Sequence, residues 1–191
     1  MELRATLLAL FLCGITTHFS TGLTIYRDVI SGDEMFSDTF KIRLRDDGIF
    51  YEVEGRLVTR RKSTFDDHLI MEGADPVDIP DIDSVTSGVD IVLNHNLQET
   101  SFTKEQYKEY MNGYFKRIKE HLEKKNPGRV KVLMKDVQSV YEEILAHLKE
   151  WQFFRGESNN EEGMVALLNF DRDDDTPYML FFKDGLEEEK G

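Results

Sequence analysis

Residues 103–151 read TKEQYKEYMNGYFKRIKEHLEKKNPGRVKVLMKDVQSVYEEILAHLKEW, two amphipathic helices folded back on each other. In the first, Tyr107, Tyr110, Met111, Tyr114, Phe115, Ile118 and Leu122 recur at spacings of three and four. That period lays one apolar stripe along a helix. The second carries Val130, Leu133, Met134, Val137, Val140, Tyr141, Ile144, Leu145, Leu148 and Trp151 in the same way. Thr103 is a suitable N-cap with Gln106 three residues on to reach back to it, and Phe102 can staple against Tyr107. Asn126-Pro127-Gly128-Arg129 breaks the pattern, because Pro and Gly end one helix and Asn or Pro can start another. At ~1.5 Å per residue each arm is roughly 30 Å long.

Outward from this hairpin the chain reads as strand and loop. The 191 residues, 40% hydrophobic, are enough for one well-buried domain. The formal net charge is −13, which argues against a nucleic-acid partner, since phosphate neutralisation supplies most non-specific affinity. The charge is uneven. From Thr103 to Glu150 there are 11 Lys+Arg against 8 Asp+Glu, so this part is +3 and the remainder −16. Lys116, Arg117, Lys119, Lys124, Lys125, Arg129, Lys131 and Lys135 are opposed between positions 116 and 135 only by Glu120 and Glu123. Such a run reads either as a solvated helix surface or as a docking face for an acidic partner.

Residues 5–15, ATLLALFLCGI, form an uncharged apolar run too short to span a bilayer but of signal-peptide length, with Ser20 and Gly22 placed for cleavage before Leu23. Residues 1–22 therefore read as a signal peptide, with a buried strand or an exon artefact as alternatives, and residues 23–191 as a single domain. Cleavage makes the protein extracellular; retention makes it cytoplasmic. The lone cysteine, Cys13, excludes an intramolecular disulfide framework and a cysteine-based zinc site.

LTIYRDVI is a first strand, and FKIRL, Asp46-Asp47-Gly48 and IFYEVEGRLV form a β-hairpin. Residues 61–83 lose periodicity and read as a mobile acidic loop. Strands follow through Val89–Leu93 and Leu97–Phe102, and after the helices MVALLNF and YMLFF make two buried strands joined by an acidic turn. Strands flanking a helical hairpin give an α+β class.

The chain has no GxSxG elbow, no GxxxxGK[ST] loop, no GxGxxG after a strand and no HExxH, which lowers the expectation of an enzyme. His68, His95, His121 and His147 lack metal-site spacing, and surface or core-edge positions are expected for them. Asp171, Asp173 and Asp175 have the alternate spacing that opens an EF-hand, but Thr176 and Phe182 replace the glycine and the bidentate glutamate. Weak calcium binding is left to this turn or to Asp75, Asp78 and Asp81 in the 61–83 loop.

LTIYRDVISGDEMFSDTFKIR, GVDIVLNHNLQETSFTKEQYKEY, QFFRGE, GMVALLNF and TPYMLFFKDGLEEEK together resemble the translationally controlled tumour protein (TCTP) family, from about Leu23 to Lys190. The resemblance implies a β-tent fold of twisted antiparallel or mixed sheets, related to small-GTPase-binding chaperones, from which the helical hairpin projects. It also implies a non-enzymatic, multi-partner protein that binds no nucleotide. Its implied properties are weak calcium binding, tubulin and microtubule association, growth-related and anti-apoptotic roles, and an extracellular histamine-releasing activity. In secreted form its partner is a cell-surface receptor or immunoglobulin. Glu34, in Asp33–Asp38, matches the family's contact to a Ras-type small GTPase, and supports the alternative of a GTPase regulator. Residues 38–49 match a helix-like segment proposed to engage apoptosis regulators, although DTFKIRLRDDGI itself reads as strand and hairpin. The basic run 116–135 matches the family's tubulin-binding region. Residues 70–76, Arg155 and Gly191 depart from the family pattern, Gly191 replacing a frequent cysteine, and the leader lies outside it.

Overall fold

The computed structural model describes residues 22–62 and 84–191. Its elements run β1 (Thr24–Asp28), β2 (Glu34–Ser37), β3 (Lys41–Leu44), β4 (Phe50–Glu54), β5 (Leu57–Lys62), β6 (Ser84–Val89), α1 (Asp90–Asn94), β7 (Gln98–Thr100), α2 (Lys104–Lys125), α3 (Pro127–Ala146), β8 (Gln152–Arg155), β9 (Ala166–Phe170), β10 (Pro177–Phe182) and β11 (Leu186–Lys190). The strands form a three-stranded sheet β11-β1-β2, a six-stranded sheet β3-β4-β10-β9-β8-β7 and a ribbon β5-β6. The β-hairpin read over FKIRL and IFYEVE is β3 paired with β4, Ile42 opposite Val53, so residues 38–49 are strand and turn. Gly48 makes the turn at φ +68°, a conformation glycine adopts without steric cost. MVALLNF and YMLFF deliver β9 and β10, and Met179, Leu180, Phe181 and Phe182 are all buried. Burial on both faces explains why β10 shows no alternation of apolar and polar residues.

The hairpin forms as its stripes require. Thr103 Oγ1 accepts from Gln106 N (3.2 Å), and Thr103 N donates to Gln106 Oε1 (2.8 Å). The Phe102 and Tyr107 rings meet edge-on at 5.7 Å. Asn126 alone separates α2 from α3, with Pro127 in the first helical turn, where its missing N–H costs no bond. Tyr107, Met111, Tyr114, Ile118 and Leu122 of α2 join Leu133, Val137, Val140 and Ile144 of α3 and the inner side chains of β9 and β10 in one core. At the margin of this core the Tyr110 hydroxyl donates to Gly163 O and accepts from Val165 N, both at 2.8 Å. It ties α2 to the segment that leads into β9.

Three expectations are corrected, and one strand is added. Val89–Leu93 is the end of β6 followed by the short helix α1: Asp90 Oδ1 accepts from Arg56 N (2.8 Å) and Ile91 N (2.9 Å), turning the chain and burying Ile91 completely. Arg61 and Lys62 belong to β5 and pair with β6, while residues 63–83 of the expected acidic loop lie outside the described residues. The second helix stops at Ala146; Leu148–Glu150 make a 3-10 turn and Trp151 is extended. The acidic tail segment LEEEK is strand β11, paired with β1 from Thr24–Lys190 to Asp28–Leu186.

Candidate partner-binding surface

The eight basic residues of the hairpin divide into two groups. Arg129, at the start of α3, grips Asp184 with both arms, Nε to Oδ1 at 2.9 Å and Nη2 to Oδ2 at 2.8 Å, and Nη2 also donates to Gly48 O at 3.1 Å. Its side chain is 23% exposed and that of Asp184 9%, so this charge serves the fold. Lys125 Nζ lies 2.7 Å from Glu187 Oε1 and holds the Glu187 carboxyl below its ordinary range, with His121 Nε2 a further 3.5 Å neighbour. Arg117 donates to Glu162 O at 3.0 Å and sits 3.6 Å from that residue's carboxylate; Lys119 is 3.7 Å from Glu123, one turn away. Arg129, Lys125 and Arg117 thus contact acidic segments of the body. Lys116, Lys124, Lys131 and Lys135 are exposed and make no ion pair with any described residue.

Glu34 opens β2, an outer strand of the three-stranded sheet. Its Oε1 lies 2.9 Å from His95 Nδ1 and its Oε2 3.8 Å from Arg27 Nη2. The His95 side chain is 4% exposed and its ring packs 5.8 Å from Phe40. Burial pushes the His95 pKa down, and the neighbouring Glu34 carboxylate opposes that shift. The sequence offered no sign of this pairing, because 61 residues separate the partners and neither lies in a local motif. His121 and His147 occupy surface positions as read; His95 is a core residue instead.

The acidic turn between β9 and β10 uses its carboxylates on its own backbone. Asp171 Oδ1 accepts from Asp173 N (2.8 Å), Asp174 Oδ1 accepts from Thr176 N (3.0 Å), and Asp175 takes φ +56°. Among the described residues no group of three or more His, Cys, Asp or Glu is placed to hold a metal ion. Asp75, Asp78 and Asp81 lie outside the described residues. No helix among the described residues is long and apolar enough to cross a membrane. Arg155, which departs from the family pattern, stacks its guanidinium 5.8 Å from the Phe102 ring and reaches Asn159 Oδ1 at 3.3 Å.

Antiparallel sheets with a docked helical hairpin, three of whose eight clustered basic residues bind the body, define an α+β protein with a charged helical face. The family model described as translationally controlled tumour protein matches residues 23–187. The human translationally-controlled tumor protein is 53% identical over 171 residues, and the Lateolabrax japonicus homolog 54% over 170, each alignment covering 88% of this chain and 99% of the relative. Two solved structures superpose: the Schizosaccharomyces pombe protein p23fyp at TM-score 0.73 and 38% identity, covering 88% of this chain and 99% of its own, and the Caenorhabditis elegans TCTP at 0.64 and 29%, covering 88% and 98%. The chain belongs to the translationally controlled tumour protein family.

Proposed function

We propose that this chain is a non-enzymatic partner-binding protein whose hairpin engages acidic protein surfaces, tubulin among them, through Lys116, Lys124, Lys131 and Lys135. One observation carries the reading: these four lysines are exposed and make no ion pair with any described residue, whereas Arg117, Lys119, Lys125 and Arg129 of the same basic run are engaged. Unpaired ammonium groups keep their long-range attraction and lose little on docking, whereas Arg129 would have to abandon Asp184 first. Weak calcium binding is a subsidiary role. Where residues 1–22 direct export, the same face meets acidic surfaces outside the cell, in keeping with the histamine-releasing role the resemblance implies.

Co-sedimentation with microtubules tests the reading. Changing all four lysines to glutamine removes rim charges worth roughly 0.2–1 kcal/mol each, so affinity at low salt falls about fourfold or more and its salt dependence flattens. Unchanged affinity in this variant would refute the assignment.

A further inference from the structure

The two helices do not close along one of their seams. Met111 and Phe115 of α2 and Met134, Val137 and Tyr141 of α3 line a groove of about 310 Å³ to which no sheet residue contributes. The lining includes Lys116 and Lys119 but no acidic residue. Met134 is 50% exposed although it belongs to the apolar stripe of α3. Helical spacing sets Lys131 one turn before Met134 and Lys135 one turn before Gln138, so cations flank both walls.

We propose that this groove seats the apolar face of an acidic amphipathic helix from a partner protein; the inference rests on the basic-face reading above and names what sits there. Three features favour that occupant. The α2 wall runs from Met111 to Lys119, about 12 Å at the helical rise, which matches two turns of a third helix. Two turns present anchors at the i, i+4 and i+7 positions that helix-in-groove recognition uses. Lysines in a lining that holds no acidic residue favour a negatively charged partner and disfavour a second copy of the same face. The site is also recessed between two helices, whereas a membrane surface requires apolar side chains that protrude.

The probe is a synthetic peptide of about 18 residues with Leu at i, i+4, i+7 and i+11 and Glu and Ala elsewhere, compared with a permuted peptide that scatters the same leucines around the helix. Binding to the full chain is read by fluorescence anisotropy. The patterned peptide binds roughly tenfold more tightly than the permuted one. Met134→Gln preserves charge at a half-exposed site and lowers affinity for the patterned peptide about five- to tenfold, leaving the permuted one unaffected. Gln138→Trp, which fills the groove, does the same, and Lys116→Gln with Lys131→Gln weakens both peptides. Equal binding of the two peptides, insensitive to Met134→Gln but weakened by the lysine changes, overturns the groove and leaves the basic face standing. Indifference to the lysine changes overturns the basic face. Self-association, or binding to phosphatidylserine vesicles, that Met134→Gln abolishes while patterned-peptide binding is unaffected would assign the groove to another occupant and overturn the proposal.

Discussion

Replacing Arg129 by methionine keeps most of its aliphatic stem and deletes the charge that fastens the hairpin tip. Three hydrogen bonds to Asp184, at 2.8, 2.9 and 3.1 Å, and one to Gly48 O at 3.1 Å disappear together. Removing one partner of a fully buried ion pair costs about 3–5 kcal/mol, and an exposed pair is worth about 0–1. With Asp184 at 9% exposure and Arg129 at 23%, the pair falls between these limits, nearer the buried one for the carboxylate. A loss of ~2 kcal/mol follows, or about 4–8 °C in Tm for a domain of this size. The assay is urea unfolding of wild type, Arg129→Met, Asp184→Asn and the double variant. The double variant should be only slightly less stable than either single one, giving a coupling of roughly 1–2 kcal/mol at an unchanged m value. Microtubule affinity should not change in Arg129→Met, since that charge already has its partner. A coupling below about 0.3 kcal/mol, or affinity lost together with the arginine, would refute the division of the basic residues into structural and docking groups.

Two further outcomes are expected. His95 titrates below its ordinary 6.5 because burial disfavours the cation. Its neutral form is the one folding favours, so its contribution to stability is complete above about pH 6.5 and declines as pH falls through that value toward the folded pKa. A two-dimensional NMR titration should show a midpoint under 6.5, lowered further by Glu34→Gln, which removes the opposing carboxylate; a midpoint above 6.5 contradicts the burial argument. Tyr110→Phe leaves the N–H of Val165 and the carbonyl of Gly163 without their partner and should cost about 1–3 kcal/mol in urea unfolding, against less than ~0.5 if water replaces the hydroxyl.

The helical hairpin was legible because both of its determinants are local: a 3.6-residue apolar period, and a cap with its reciprocal partner three residues away. The β3–β4 turn was legible for the same reason, through Asp47-Gly48. Val89–Leu93 misled because a short apolar run fits a buried strand and a buried helix equally, and the choice was made by the Asp90 carboxylate capturing a backbone N–H 34 residues away. Strand β11 was hidden because Glu187, Glu188 and Glu189 carry no strand signature; pairing with β1 gives them their conformation, and Arg27 binds Glu189 across the ladder. The proposed docking surface was half visible. Charge density located the basic face, but which cations are internally engaged depended on Asp184, Glu187 and Glu162, all distant in sequence.

The pairing of β1 with β11 also bears on synthesis. Strand β1 lies between β2 and β11, so one of its edges can close as soon as the first 37 residues are available, through the local β1–β2 hairpin. Its other edge has no partner until residues 186–190 have left the ribosome, at an elongation rate of about 5–20 residues per second a delay on the order of ten seconds or more. For that interval a row of backbone donors and acceptors on β1 is open to any neighbouring strand, including one from another nascent chain. A chaperone that covers an extended edge would serve this protein most during that wait, and shortening β11 would make the exposure permanent.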